Sequence, residues 1–335
     1  MRLNLSLLLT LLSLLFCVPG RAADTSIQVM GWVPAYGMEA AIEALTSQAE
    51  IGKGLTRIGL QFWNPSPDGR SLVFAPVNKQ GQLVSAADVL RFRDWARHRN
   101  IKVFLTVYNN SQVSNQWDWR LARRAFGAQR NAFVAALVAE MDKYQLDGID
   151  LDLEGEGAPD ADRAAYAKFV KQLAVPLRAR AKLLTIDSFH SPCANAPNMR
   201  WWADWLGHID AIHSMGYEDL YEGSDATFTP KGKPVCEGGA ALFKYSWQLA
   251  YARKAGYLPE QILMGMPTWL ANWGKGGLGS DLISHVQEVQ ALGMGIALWD
   301  LQLSAPAWRS IDAWKAIRAA RRDAVDLSSA ATPAP

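Results

Sequence analysis

Eight short runs rich in branched and aromatic residues recur along the chain: Ile27–Val33, Arg57–Trp63, Ile101–Tyr108, Leu146–Leu153, Lys182–Phe189, Ile209–Tyr217, Ile262–Trp269 and Met294–Trp299. Amphipathic stretches of helical length lie between them, among them Ala86–Arg99, Ala128–Tyr144, Ala161–Ala181, Ala240–Ala255, Leu282–Leu292 and Ser310–Arg322. Strands alternating with helices predict an α/β fold, and eight such strands predict a (β/α)8 TIM barrel. No Pro/Gly/Ser-rich linker or shift in composition interrupts the body, so residues 24–323 read as a single domain. The competing architecture is a doubly wound open sheet. Against it, the first strand runs into Trp32-Val33-Pro34-Ala35-Tyr36 and not into the glycine-rich turn of a dinucleotide site.

The ends are of a different character. Arg2, the apolar run from Leu3 to Val18 and the small residues up to Ala23 read as a secretory signal peptide over residues 1–23. The run is shorter than the ~20 residues a membrane-spanning helix needs. A secreted or periplasmic protein with no membrane anchor after cleavage is therefore expected. Residues 324–335 read as a flexible tail. Of 335 residues, 34 are Lys or Arg and 32 are Asp or Glu. Removal of Arg2 and Arg21 with the leader balances the two, which leaves no electrostatic footprint for nucleic acid. Cys17 departs as well, and Cys193 and Cys236 then form a candidate disulfide in an oxidising compartment.

Chemistry concentrates in Asp147-Gly148-Ile149-Asp150-Leu151-Asp152-Leu153-Glu154. Side chains alternate along a strand, so Asp150, Asp152 and Glu154 form a column on one face, ~6.6–6.8 Å apart along the backbone. Ile149, Leu151 and Leu153 form the other. On a surface strand such a column is a solvated acidic edge. Pointed into a barrel, its charges cannot all ionise cheaply, and at least one carboxyl should hold its proton at raised pH. That arrangement suits general acid catalysis. A hard-cation site is the weaker reading, since no His lies in the segment.

At these residues the sequence resembles glycoside hydrolase family 18, the chitinase family, whose fourth-strand signature is Asp-x-x-Asp-x-Asp-x-Glu. Asp147, Asp150, Asp152 and Glu154 match it position by position. Met215-Gly216-Tyr217 is similar to the family's sixth-strand Met-x-Tyr, Gly265-Met266-Pro267 to its Gly-x-Pro, and Leu298-Trp299 to its eighth-strand Trp. The resemblance implies substrate-assisted retaining hydrolysis of a β-linked N-acetylhexosamine glycan: chitin oligomers, peptidoglycan, an exopolysaccharide or an N-glycan core. It implies Glu154 as proton donor, Asp152 as the group that holds the substrate acetamido N–H, Asp150 as its partner beneath, and Tyr217 as donor to the acetamido carbonyl. Trp299 would form the floor under the sugar. Met215 and Asp219 belong to the expected substrate surface. So does Asp147, although its odd offset favours a role at the start of the strand. No metal or organic cofactor is implied, and a monomer is expected.

The sequence departs from the family in places. The third strand usually ends in Ser-x-Gly-Gly, where this chain has Thr106-Val107-Tyr108-Asn109-Asn110, and Glu218 precedes Asp219 where the family has Asp after Tyr. The altered third strand keeps a second reading open, a carbohydrate-binding, lectin-like barrel without turnover. Of the 14 Trp residues, Trp32, Trp63, Trp269 and Trp299 fall at the carboxyl ends of the strand runs, where barrel sites form, and are the expected sugar contacts. Trp95, Trp247 and Trp314 fall within helices and read as core. His190 and Asp187 read either as substrate contacts or as a hydrogen-bonded loop pair.

Overall fold

The structure is a computed structural model that describes residues 27–74, 84–110, 116–155, 159–190, 195–217, 245–269 and 281–319. The proposed leader, the tail, Asp219, Cys193 and Cys236 lie outside these residues.

Nine strands form one sheet: β1 (Val29–Pro34), β2 (Arg57–Pro65), β3 (Leu72–Phe74), β4 (Lys102–Tyr108), β5 (Gly148–Asp152), β6 (Leu183–Ser188), β7 (Ala211–Ser214), β8 (Ile262–Pro267) and β9 (Gly295–Trp299). Eight pair in parallel, and β1 bonds both β9 and β2, so the sheet closes into a barrel. β3 pairs antiparallel with the end of β2, outside the ring. It was not among the expected strands, because its three residues are too few to show a period. Around the barrel lie α1 (Met38–Ser47), α2 (Ala49–Gly54), α3 (Ala86–Arg97), α4 (Trp119–Arg123), α5 (Arg130–Tyr144), α6 (Arg163–Ala179), α7 (Tyr245–Ala255) and α8 (Asp281–Ala291), with a further helical stretch at 311–319. The expected (β/α)8 barrel is the fold, and each of its eight expected strands is present.

Alternation divides the core into two layers. Val29, Val33, Ile149, Leu151, Leu153, Ile296 and Leu298 point outward and pack with the helices. Met30, Trp32, Phe104, Leu183, Ala211, Leu263 and Ala297 fill the barrel interior. Two glycines make the interior possible. A Cβ on Gly59 would stand 2.6 Å from both Thr106 Oγ1 and Trp32 Cδ1, and one on Gly265 would meet the Ser214 carbonyl at 2.8 Å and the Tyr217 ring at 2.9 Å.

One expected site residue is in the wrong layer. Strand parity groups Trp63 with Gln61, facing inward, but the register slips between them so that Gln61 pairs with Thr106 and Trp63 with outward-facing Val107. This irregularity turns Trp63 outward, where it is 1% exposed, packs on Phe62, Phe74 and Tyr144, and donates Nε1 to Glu140 at 3.2 Å. It is a core residue and not a sugar contact. The helix assignments for the Trp residues also need one correction: Trp314 is buried, but Trp247 is 43% exposed. Trp63→Phe is expected to lower stability by about 1–3 kcal/mol in denaturant unfolding, from lost packing and the lost bond to Glu140. A Trp lying open at the mouth would change it by less than about 0.5 kcal/mol.

Candidate active site

The acid column stands inside the barrel as the alternation requires. Exposure rises along it: Asp150 is 0% exposed, Asp152 3%, and Glu154, just past the end of β5, is half-buried at the mouth. A buried charge needs donors, and Asp150 has them on every side. Trp32 Nε1 and Thr106 Oγ1 donate to Oδ2 at 2.8 and 3.0 Å, and Thr185 Oγ1 donates to Oδ1 at 2.6 Å. His213 Nδ1 lies 3.3 Å from Oδ1. Burial alone would raise this carboxyl, but the charge and hydrogen bond of His213, with the bonds from Thr185 and Trp32, hold it below the ordinary range.

Asp152 differs. It accepts one strong bond, from Gln61 Nε2 at 2.6 Å, and shares another with Glu154. Burial first, and then the charge of Asp150, push it up to about 7, against which those two bonds work. The column therefore holds an anion at its foot and, in the middle, a carboxyl that exchanges its proton near neutral pH. Tyr217 faces Asp187, Asp152, Asp150 and Glu154; burial and these charges raise its hydroxyl well above the ordinary value, so it stays a donor.

The altered third strand supplies this site. Thr106 bonds Asp150, Tyr108 pairs in register with Asp152, and buried Asn109 clamps the backbone of Glu154. Asn109 Nδ2 donates to the Glu154 carbonyl and its Oδ1 accepts from the Glu154 N–H, both at 2.7 Å. Both main-chain groups of Glu154 are thus fixed by one side chain.

The other expected residues sort by height. Trp32 is fully buried beneath the mouth, edge-on to His213 at 4.9 Å and to Tyr217 at 6.4 Å, so it braces the column and does not present an open face to sugar. Trp299 is half-buried above it, 6.2 Å away between ring centroids. Trp269 is half-buried at the same rim and donates Nε1 to buried Asp300 at 3.2 Å. Met215 follows β7, where its N–H donates to the Ser188 carbonyl and its own carbonyl meets His190 Nδ1 at 2.9 Å. Asp147 lies at the amino end of β5, away from the mouth. There its Oδ2 accepts the Val103 N–H at 2.9 Å, and its backbone bonds Val103 and Leu183. It ties three strands together and is not a substrate contact.

Two groups that bond the acids escaped the sequence reading. Gln61 and His213 stand singly in apolar runs and gave no signal. Asp187, taken with His190, bonds His213 instead, at 2.8 Å from Oδ1 to Nδ1. Asp150, Asp187 and His213 bring one ligand atom each within 4.8 Å, which is close enough for a metal site. Hydrogen bonding accounts for the approach: the Nδ1 proton lies between two carboxylate oxygens, one of which also accepts from Thr185.

Comparison with known proteins agrees with this fold. The sequence profile of "Glycosyl hydrolases family 18" matches residues 52–303. A relative described as "Probable chitinase 2" of Drosophila melanogaster is 27% identical over 176 residues, 51% of this chain and 34% of that protein. The chain thus spans about a third of the length of that relative. A chitinase from Chromobacterium violaceum superposes with a TM-score of 0.63 at 16% identity, covering 88% of this chain and 99% of the other. A mutant family 18 chitinase from Cycas revoluta in complex with (GlcNAc)4 superposes at 0.60 and 16% identity, covering 89% and 99%. At these identities the likeness shows the fold.

A carboxyl-carbon titration is expected to show Asp152 changing state near pH 7, and at lower pH in Asp150→Asn, where the like charge is gone. The unfolded chain releases that proton near 3.8, so this group's contribution to stability falls as pH rises from about 4 to about 7.

Proposed function

The chain belongs to family 18 of the glycosyl hydrolases, and from that premise we propose that it is a secreted or periplasmic glycosidase that cleaves β-linked N-acetylhexosamine glycans. The observation that carries this reading is the column itself, an anion at its foot, a carboxyl exchanging near pH 7 above it, and Glu154 at the mouth.

Glu154 protonates the glycosidic oxygen as the bond breaks. The N-acetyl oxygen of the sugar attacks the anomeric carbon, and Asp152 accepts the acetamido N–H while the cyclic oxazolinium forms. Family 18 is among the exceptions to a protein nucleophile. Tyr217 keeps its proton and donates to the acetamido carbonyl. Glu154 then takes a proton from water, which opens the intermediate with retention. Asp150 stays charged throughout and favours the cation that develops above it. Trp299 supplies an apolar floor. The clamp of Asn109 on Glu154 holds the acid within reach of the bond, as orientation-dependent catalysis requires.

The lectin-like alternative is kept by the departure at the third strand, although Thr106 and Asn109 serve the acids there. The two readings separate on turnover. Wild type should release reducing ends from N-acetylated chitooligosaccharides, and Glu154→Gln should lose about 10²–10⁴-fold in kcat with little change in KM. Calorimetric binding of the same oligomers by wild type without reducing-end release would establish the lectin, and unchanged hydrolysis by Glu154→Gln would place the proton donor elsewhere.

A further inference from the structure

The interior holds a buried pair that the proposed reaction does not use. His213 on β7 and Asp187 on β6 are in register neighbours, 0% and 2% exposed, and their ring and carboxylate meet at 2.8 Å. The same Nδ1 reaches Asp150 Oδ1 at 3.3 Å, so one N–H is shared between the foot of the column and a second acid. The ring is held in plane by the edge-on indole of Trp32, and Nε2 has no hydrogen-bonding partner among the described residues. A carboxylate has about four lone-pair sites. Trp32, Thr106, Thr185 and His213 aim a donor at each of those on Asp150.

We propose that His213, held by Asp187, is a positioning residue that completes the donor shell of Asp150 and so confines the shared proton of the column to Asp152. Protonation of Asp150 would need one of the four donors to withdraw. Thr106 and Thr185 hydroxyls can rotate away; the Nδ1–H cannot, because Asp187 fixes the ring. Asp187 itself is pushed well up by burial and then by the charges of Asp150, Asp152 and Glu154, and it anchors the ring through its bond to Nδ1. The titratable groups facing the pair are Asp150 and Asp152 from β5, Glu154 just past it, Tyr217 beyond β7, and Tyr166 from α6, whose hydroxyl feels Asp187, Asp152 and Asp150. Leu263, in register on β8, and Trp32 on β1 add no charge, and Arg57 lies lower, over the Phe104 ring.

For its kinetic consequence the proposal rests on the glycosidase reading, but its decisive test does not need turnover. Carboxyl-carbon NMR titrations of wild type, His213→Leu, His213→Asn and Asp187→Leu read each acid separately. In wild type, Asp152 shifts between about pH 5 and 8 and Asp150 is silent there. In His213→Leu and Asp187→Leu both carbons should shift in that window, because the proton now divides between them. His213→Asn, whose amide N–H takes the place of Nδ1–H, should restore the wild-type pattern. Should His213→Leu not fold, His213→Gln, whose amide takes the Nε2 place instead, serves as the donor-lacking variant. An Asp150 carbon that stays silent in the folded donor-lacking variant overturns the proposal. Against chitooligosaccharides, loss of the charged-group bond should cost about 10–100-fold in kcat with KM nearly constant, and the acidic limb of the pH profile should move to higher pH. A merely structural role would lower the melting temperature and leave that limb in place. If wild type and Glu154→Gln show the same hydrolysis, the glycosidase reading fails, and the carbon titration still decides the role of His213.

Discussion

Asp150 keeps its charge at a point inside the barrel that water does not reach, and much of the interior is arranged around that fact. An unpaired carboxylate in such a place would take up a proton. Here four donors from β1, β4, β6 and β7 converge on its two oxygens, so the charge is held by the two strands beside β5 and by two that reach it through the interior. Closure of the barrel is what brings these donors together, because β1 lies far from β5 in sheet order and reaches it only through the interior. The charge in turn acts on Asp152, whose burial leaves it sensitive to a like charge.

The same constraint explains why the interior departs from the aliphatic filling common in such barrels. Met30, Phe104, Leu183, Leu263 and Ala297 form an apolar floor. Above it Trp32, Gln61, Thr106, Thr185, Asp187 and His213 are buried polar groups that all bond the acids or one another. Room for them comes from the absence of side chains at Gly59 and Gly265. A polar network of this kind stabilises only when it is fully satisfied.

Period carried most of the architecture in the sequence. Runs with branched residues at strand length, set between helical stretches, fixed eight strands and their order, and alternation put Asp150, Asp152 and Glu154 on one inward face. What alternation could not show was any break in itself. Trp63 followed the parity of Gln61 until a single register slip in β2 sent it outward. Gln61 and His213 were hidden for another reason. Each lies on a different strand from the acids, and only barrel closure makes it a neighbour of the column. The tryptophans misled in a third way, since aromatic content marks a sugar site and a large core alike: Trp32 and Trp63, both expected at the sugar, are buried.

At β4 a departure from the family pattern leaves the acid column supported. Where the family commonly has Ser-x-Gly-Gly, small residues would leave the carboxyl column open on that side. In this chain Thr106 keeps a hydroxyl at the first of those positions and donates it to Asp150. Tyr108 and Asn109 then occupy space that glycines would leave empty. Asn109 spends both ends of its amide on the main chain of Glu154, and Tyr108 lies beside Asp152 with a hydroxyl that burial and the charge of that acid raise far out of the titrating range. Three residues on or just past one strand thus each serve a different acid: one holds the anion, one walls the exchanging carboxyl, and one fixes the backbone of the group at the mouth. Larger side chains here stand beside the column while every acid keeps its place, so the altered strand reshapes the flank of the column and leaves its acids supported.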